Sequence, residues 1–207
     1  MGTPEFKLLY TAYAPDQFPQ PREREIVLVG RSNVGKSSLL NRLAGLTARD
    51  ARKVSARISS QPGCTRSINF YQFWENVLLV DLPGFGYAHM SLAQRRALGQ
   101  LVDAYLDKRP SIACVLHVVD ARLPLQAIDK KMLAWGKHFG YFHLLALNKC
   151  DKLSRIELEK QKKKFRGDIL EAADRETPMI AVSAKTGLGL ADLARALRAA
   201  MASPQLQ

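Results

Sequence analysis

The chain has 207 residues, of which 47% are hydrophobic and 24% charged, and this suits one globular domain with a sizeable core. It carries 31 basic and 19 acidic side chains, a net charge of +12. That balance favours a polyanionic partner such as RNA, although a solvated basic surface without a particular ligand is the alternative.

The cysteine and hydropathy patterns exclude several classes of protein. Cys64, Cys114 and Cys150 are odd in number and widely spaced, which argues against a disulfide framework and a zinc site. No apolar run approaches the length of about 18 residues that a membrane span needs, and no signal-peptide pattern is present. We therefore expect a cytoplasmic protein without a membrane segment.

The N-terminal stretch is predicted to be a lead-in to the domain. Residues 1–6 resemble an expression-vector remnant and are left out of the fold prediction, and residues 15–25 are rich in proline and charge. We place the lead-in at residues 1–24 and a single domain at residues 25–203.

The sequence GRSNVGKS at residues 30–37 fits the phosphate-loop pattern G-x-x-x-x-G-K-[S/T] and directly follows the apolar run 26–29. A strand, a glycine-rich turn and a helix N-terminus together aim backbone N–H groups at a polyphosphate. We expect Lys36 to contact the β and γ phosphates and Ser37 to bind Mg²⁺ through its hydroxyl. The predicted contact residues are Gly30, Arg31, Ser32, Asn33, Val34, Gly35, Lys36, Ser37 and Ser38.

The segment QPGCTR at residues 61–66 is typical of a turn. We assign Thr65 as a switch threonine, whose hydroxyl completes the Mg²⁺ shell and whose N–H meets a γ-phosphate only in the triphosphate state. An ordinary turn threonine is the alternative. The neighbouring predicted contacts are Gly63, Cys64, Arg66 and Ser67.

A carboxylate ends the next apolar run, residues 77–80. Asp81 begins the sequence Asp-Leu-Pro-Gly and would lie at the carboxyl edge of a strand, where α/β sheets bind ligands. We expect Asp81 to hold Mg²⁺ through water and Gly84 to donate its N–H to a γ-phosphate. The contact set here is Asp81, Leu82, Pro83 and Gly84; Ser37, Thr65 and Asp81 form the predicted metal site, and Lys36, Thr65 and Gly84 the predicted catalytic set.

An N-K-x-D element follows the apolar run 144–147, and its chemistry selects the base. The Asp151 carboxylate can accept hydrogen bonds from the N1–H and exocyclic amine of guanine, whereas adenine offers no matching pair of donors. Asn148 is predicted to tie this loop to the phosphate loop, and the Lys149 stem to cover a face of the base. The full set is Asn148, Lys149, Cys150 and Asp151.

A fourth apolar run, residues 179–182, ends in Ser-Ala-Lys. We expect the Ala184 N–H to reach the guanine carbonyl oxygen. The predicted contacts are Val182, Ser183, Ala184 and Lys185.

Helical patterns alternate with the apolar runs over residues 35–44, 92–106, 125–139, 155–173 and 188–201. Short apolar runs between amphipathic helices predict an α/β fold, with a mostly parallel sheet of six strands that is covered by helices on both faces.

Several blocks together resemble the EngB family (also called YihA or YsxC) of the TRAFAC class of P-loop GTPases. They are GRSNVGKSS at 30–38, PGCT at 62–65, INFY at 68–71, DLPGFGYA at 81–88, Tyr105-Leu106 with Arg109, VDAR at 119–122 and NKCDK at 148–152. The resemblance covers about residues 26–190. It implies a Ras-like fold in which residues 68–74 form an antiparallel edge strand hairpinned to residues 77–81.

The resemblance also implies a function: a monomeric, slow, Mg²⁺-dependent GTPase that switches between GTP and GDP during ribosome assembly, with the large subunit as partner. An associated requirement in cell division and septation is interpreted as an indirect consequence. Another RNA-linked TRAFAC GTPase, acting in tRNA modification or small-subunit assembly, stays open, as does an RNA-binding module that holds nucleotide structurally.

The residue after Asp81-x-x-Gly84 is Phe85, where Ras-like proteins carry the glutamine that orients the attacking water. A phenyl ring cannot do this, which implies slow hydrolysis stimulated by a partner or a cation. Some GTPases of this class bind K⁺ through an asparagine that matches Asn33, and equal turnover in K⁺ and Na⁺ buffers would refute that role here.

Basic residues cluster around the two predicted switches, where RNA contact and nucleotide state would be coupled. They are Arg49, Arg52, Lys53, Arg57, Arg66, Arg95 and Arg96. A lysine run at residues 160–164 is interpreted as solubilising.

Overall fold

A computed structural model describes residues 6–21, 23–46, 67–84, 91–107, 109–174 and 176–202. Its strands form one seven-stranded sheet in the order β1-β3-β4-β2-β5-β6-β7. Strand β3 pairs antiparallel with β1 and β4, and the other pairs are parallel. The strands are β1 (Lys7–Ala12), β2 (Arg24–Val29), β3 (Ile68–Trp74), β4 (Val77–Asp81), β5 (Ile112–Asp120), β6 (His143–Asn148) and β7 (Met179–Ala181).

Five helices of the described chain lie close to the predicted ranges: α1 (Lys36–Leu43), α2 (Leu92–Leu106), α3 (Ala127–His138), α4 (Arg155–Ala173) and α5 (Leu190–Ala202). The bounds of α2 and α4 match the prediction because each begins after a serine cap. Ser91 accepts a hydrogen bond from the Gln94 N–H at 3.2 Å, and Ser154 accepts one from the Glu157 N–H at 3.3 Å. None of the described helices is long and apolar enough to cross a bilayer.

The fold class is confirmed, but the sheet has one strand more than the six predicted. The additional strand, β1, lies inside the stretch that the sequence predicts to be a lead-in. It takes the edge of the sheet, so residues 68–74 form an interior strand rather than the edge strand. Phe6, which had been set apart as vector-like, stacks on Tyr71 with ring centroids 4.9 Å apart.

Alternation along the strands divides the core into two layers. Ile26 and Leu28 of β2 face a cluster that includes residues of α1 and α5, whereas Val27 and Val29 face a cluster formed with α2. Since both faces of β2 are buried, the strand appears in the sequence as a continuous apolar run.

A buried ion pair closes the end of the sheet where β2 begins. The Arg109 guanidinium donates to both carboxylate oxygens of Glu25, at 2.7 and 2.8 Å, and the Tyr105 hydroxyl donates to the same carboxylate at 2.6 Å. Arg109 also donates to the Pro19 carbonyl at 2.9 Å. The Tyr-Leu-x-x-Arg block therefore anchors the segment before β2 to the chain that follows α2.

Candidate functional site

The phosphate loop joins β2 to α1 through two glycine positions that no other residue fits. A Cβ at Gly30 would lie 2.4 Å from the Val118 carbonyl oxygen, and a Cβ at Gly35 would lie 2.4 Å from the Asn148 side-chain nitrogen. Gly35 has φ +98°, which L side chains rarely adopt. The glycine spacing therefore lets the backbone pass close to β5 and to the base loop.

Two charged residues lie next to this loop: Lys36 begins α1 and Asp81 ends β4. The register pairs Asp81 with Leu28, so the carboxylate lies beside the start of the phosphate loop. The Lys36 ammonium donates to the Gly30 carbonyl at 3.2 Å. Burial lowers the pKa of Lys36, against the opposing effect of Asp81, and burial raises the pKa of Asp81 to about 6, against the opposing effect of Lys36. For both side chains, burial therefore disfavours the charged form more than their mutual attraction favours it.

The oxygen donors at this position suit a magnesium ion. The Asp81 Oδ1 atom is buried and has no hydrogen-bond partner in the described part of the chain. Ser37, in the first turn of α1, has an exposed side chain with a hydroxyl group. No cluster of three or more His, Cys, Asp or Glu side chains that could hold a metal occurs within the described ranges. The residues therefore fit Mg²⁺, which binds through few protein oxygens and keeps waters and phosphate oxygens as its other ligands.

Asn148 connects three loops, which confirms the predicted tie between the base loop and the phosphate loop. Its side-chain N–H donates to the Val34 carbonyl at 2.9 Å, and its Oδ1 accepts from the Ala184 N–H at 3.1 Å. The second bond was not predicted and engages the N–H that we assigned to the guanine carbonyl oxygen; that assignment stays a prediction. A guanine ligand would share this N–H with Asn148.

Asp151 is held by the neighbouring loop. The Ser183 hydroxyl donates to Asp151 Oδ1 at 2.7 Å and itself accepts from the Thr186 N–H at 3.0 Å. The bond from Ser183 lowers the pKa of Asp151. The side chain is thus kept as a charged acceptor, as required for a pair of donors on a base. Ser183, which was predicted as a nucleotide contact, orients Asp151 in this structure.

Asp120, in the block VDAR, is a further residue of the site that the sequence did not single out. It lies at the end of β5 in register with Asn148, and its side chain is 4% exposed. The Lys149 ammonium lies 2.9 Å from Asp120 and donates to the Asn33 carbonyl at 2.6 Å. Arg122 pairs with the same carboxylate at 2.8 and 2.9 Å. A carboxylate at the carboxyl end of a buried strand, as at Asp81, was the available signal.

These contacts keep Asp120 charged. Burial raises its pKa, but the hydrogen bonds from Arg122 and Lys149 outweigh burial and bring the pKa down to about 2. The Lys149 ammonium is held by Asp120 and by the Asn33 carbonyl of the phosphate loop. These two contacts fix the position of the Lys149 side chain beside the base loop.

Several predicted residues lie outside the described ranges: Gly63, Cys64, Thr65, Arg66, Phe85, and the basic residues Arg49, Arg52, Lys53 and Arg57. Their assignments stay predictions. The described elements bring together the ends of β2, β4, β5 and β6 with the loop after β7. Ser67, Leu82, Cys150 and Val182 are buried at these ends and support the loops.

We predict that Asp120→Asn speeds the release of bound GDP about tenfold, because Lys149 loses its charged partner while the side-chain shape is kept. Stopped-flow measurement with a fluorescent GDP derivative gives the rate. Arg122→Ala is the matched control, since it removes the exposed partner of Asp120 and leaves the Lys149 pair, and it should change the rate less than about twofold. Equal rates for Asp120→Asn and the unaltered chain would contradict a role in holding Lys149.

Comparison with known proteins agrees with this site. Residues 25–149 match the model of a family described as "50S ribosome-binding GTPase". A "Probable GTP-binding protein EngB" from Heliobacterium modesticaldum is 39% identical over 193 residues, covering 93% of this chain and 90% of the relative. The protein of the same description from Kosmotoga olearia is 39% identical over 191 residues, covering 92% and 96%.

Two solved structures share the fold. A crystal structure of "a probable GTP-binding protein engB" superposes with a TM-score of 0.65 at 24% identity, covering 86% of this chain and 98% of the other. The elongation factor SelB from Methanococcus maripaludis, in complex with the GTP analogue GppNHp, gives 0.64 at 20% identity, covering 90% of this chain and 35% of the other. With the sequence relatives and the loops described above, these matches show that the chain belongs to the EngB family of GTP-binding proteins and is a GTPase.

Proposed function

We propose that this GTPase is a Mg²⁺-dependent switch that binds a ribosomal particle in its GTP form and leaves after hydrolysis, acting in assembly of the large subunit. The observation that carries the nucleotide part is the Asn148 side chain, which holds the phosphate loop and the base loop together. The family description, "50S ribosome-binding GTPase", and the net charge of +12 support the ribosomal part.

The phosphate half of the site follows from the charges of the described residues. The N-terminus of α1 and the half-buried Lys36 ammonium provide positive potential for the β and γ phosphates. Ser37 and Asp81 would hold Mg²⁺, with Thr65 completing the set in the triphosphate state. When bound, Mg²⁺ supplies charge that neutralises phosphate oxygens during transfer. Gly84 would donate its N–H to the γ-phosphate.

Hydrolysis is proposed to be slow in the isolated chain. Phe85 follows Gly84 and has no group that can orient a water molecule. The missing function would come from the ribosomal partner or from K⁺ at Asn33, whose backbone in the left-handed region, with φ 65°, sets the course of the loop at that point.

The base half selects guanine through Asp151. Its carboxylate, fixed by Ser183, would accept both donors of the guanine edge, and Lys149 would cover one face of the base. We place the protein in the cytoplasm as a monomer. A requirement in cell division would be a consequence of failed ribosome assembly.

We expect Asp151→Asn to shift preference from GDP to XDP, because the amide donates where the carboxylate accepts and xanthine has a carbonyl where guanine has an amine. The affinity for GDP should fall about 100-fold or more, the cost of leaving a donor unpaired in a base site. Calorimetric titration with both nucleotides measures this shift. Asp192→Asn, in the exposed first turn of α5, is the control and should leave both affinities unchanged. Unchanged preference for GDP in the Asp151→Asn variant would contradict the assignment of Asp151 to the guanine base.

The ribosomal proposal is tested by co-sedimentation with separated ribosomal subunits, in GDP and in a non-hydrolysable GTP analogue, across a salt series. We expect binding to the large subunit that requires the analogue and persists at moderate salt. Charge reversal at Arg95 and Arg96, exposed near the start of α2, should weaken it, whereas reversal at Lys163 and Lys164 on α4 should change it little.

Binding that ignores the nucleotide and vanishes with salt would instead indicate a non-specific basic surface. Nucleotide-independent binding that resists salt would favour an RNA-binding module whose nucleotide is structural.

A further inference from the structure

Three polar side chains lie side by side on the strands that lead to the site from the edge of the sheet. They are Thr11 on β1, Asn69 on β3 and Asp81 on β4, and the register pairs Thr11 with Asn69 and Asn69 with Asp81. Because β3 lies between β1 and β4, Asn69 has one of these residues on each side.

Asn69 and Asp81 point to the same face of the sheet as α1. Side chains alternate along a strand, so residues two positions apart share a face. Tyr71 and Leu79, two positions from Asn69 and Asp81, are paired in the register and belong to the core cluster that includes Leu39 and Leu40 of α1. Asn69 therefore projects into the layer that contains Lys36 and the phosphate loop.

In this row, one donor and one acceptor lack a hydrogen-bond partner within the described part of the chain. Asn69 is 1% exposed, and its Oδ1 accepts from the Thr11 hydroxyl at 3.0 Å. Its amide nitrogen is buried without a hydrogen-bond partner in the described part of the chain, and so is Asp81 Oδ1. Burying a donor or an acceptor without a partner is unfavourable, so native structures retain few such groups.

The Thr11 hydroxyl determines which atom of the Asn69 amide is free to bond to another group. With Oδ1 engaged by Thr11, the nitrogen is the end available on the side of β4. The reversed amide would present its oxygen to the Asp81 carboxylate and place two acceptors against each other. The observed orientation leaves a donor rather than a second acceptor for a charged Asp81, although the two atoms do not bond to each other in this structure.

We propose that Asn69 is a positioning residue of the magnesium site, which acts by donating its amide N–H to Asp81, or to a water molecule on Asp81, in the nucleotide-bound state. Thr11 fixes the amide for this purpose, so the edge strand β1 contributes to the site although it lies two strands away from Asp81. This role accounts for an asparagine in the block INFY, which nucleotide contact alone does not require. It rests on the proposed assignment of Asp81 to Mg²⁺.

The test compares Asn69→Leu and Thr11→Val with the unaltered chain, using a fluorescent GDP derivative in saturating Mg²⁺ and in EDTA. The control is Gln72→Leu, which alters a polar side chain on the same strand whose amide bonds to the Trp74 carbonyl instead. In Mg²⁺, Asn69→Leu should weaken GDP binding about tenfold and Thr11→Val about threefold, corresponding to the loss of one hydrogen bond and of its orientation. In EDTA both variants should bind GDP like the unaltered chain, and the control should match it in both conditions.

Two other outcomes overturn the proposal. Affinity that falls equally in Mg²⁺ and in EDTA would mean that Asn69 supports the fold only, and unchanged affinity in Mg²⁺ would mean that it does not act on Asp81. Thr11→Val retains the side-chain shape, so it decides the question even when Asn69→Leu fails to fold. An unaltered chain whose GDP affinity ignores Mg²⁺ would refute the metal assignment itself, which distinguishes that failure from failure of the Asn69 role.

Discussion

The site depends on the side-chain amide of Asn148. One end of this amide holds the Val34 carbonyl of the phosphate loop, and the other end holds the Ala184 N–H of the loop after β7. Asn148 is 2% exposed, and its bond to Val34 is buried away from water, where an unmade bond is costly. Gly35 is part of the same constraint, because any side chain there would collide with the Asn148 nitrogen. The three loops are therefore held together by contacts within the protein.

The charged side chains at the two ends of the site differ in how fully they are paired. At the base end, Asp120 is saturated by Arg122 and Lys149, and its depressed pKa reflects a stable ion cluster. At the phosphate end, burial raises the pKa of Asp81 and lowers that of Lys36. Among the residues that the structure describes, the Asp81 Oδ1 and the Asn69 amide nitrogen have no hydrogen-bond partner. Such incomplete compensation is typical of a position that a charged ligand completes. The base end is held by its own ion pairs, whereas the phosphate end, in our proposal, is completed by Mg²⁺ and phosphate.

Much of the site could be predicted because its chemistry lies at short, fixed spacings. The phosphate loop, Asp81 and the N-K-x-D element each follow an apolar run, and parallel strands bring such ends to one edge. The helices α2 and α4 could be bounded because a serine cap marks each start.

What could not be predicted depends on contacts between distant residues. Strand β1 is short and half exposed, and it is held by Phe6 on Tyr71 and Thr11 on Asn69, which sequence periodicity does not reveal. The position of Asp120 at the end of an apolar run was a usable signal, but its ion pair with Lys149, in the loop after β6, requires the fold. The second bond of Asn148, to Ala184, arises only when β6 and β7 pair.

The most direct test of this account is the GDP affinity of Asn148→Ala in saturating Mg²⁺, measured by calorimetry beside the unaltered chain. If one amide holds the phosphate and base loops together, its removal leaves the buried Val34 carbonyl unpaired and separates the two loops, and the affinity should fall about 100-fold while the far-ultraviolet circular dichroism stays the same. An affinity within about threefold of the unaltered chain would contradict the account, because the two halves of the site would then be held by something other than Asn148.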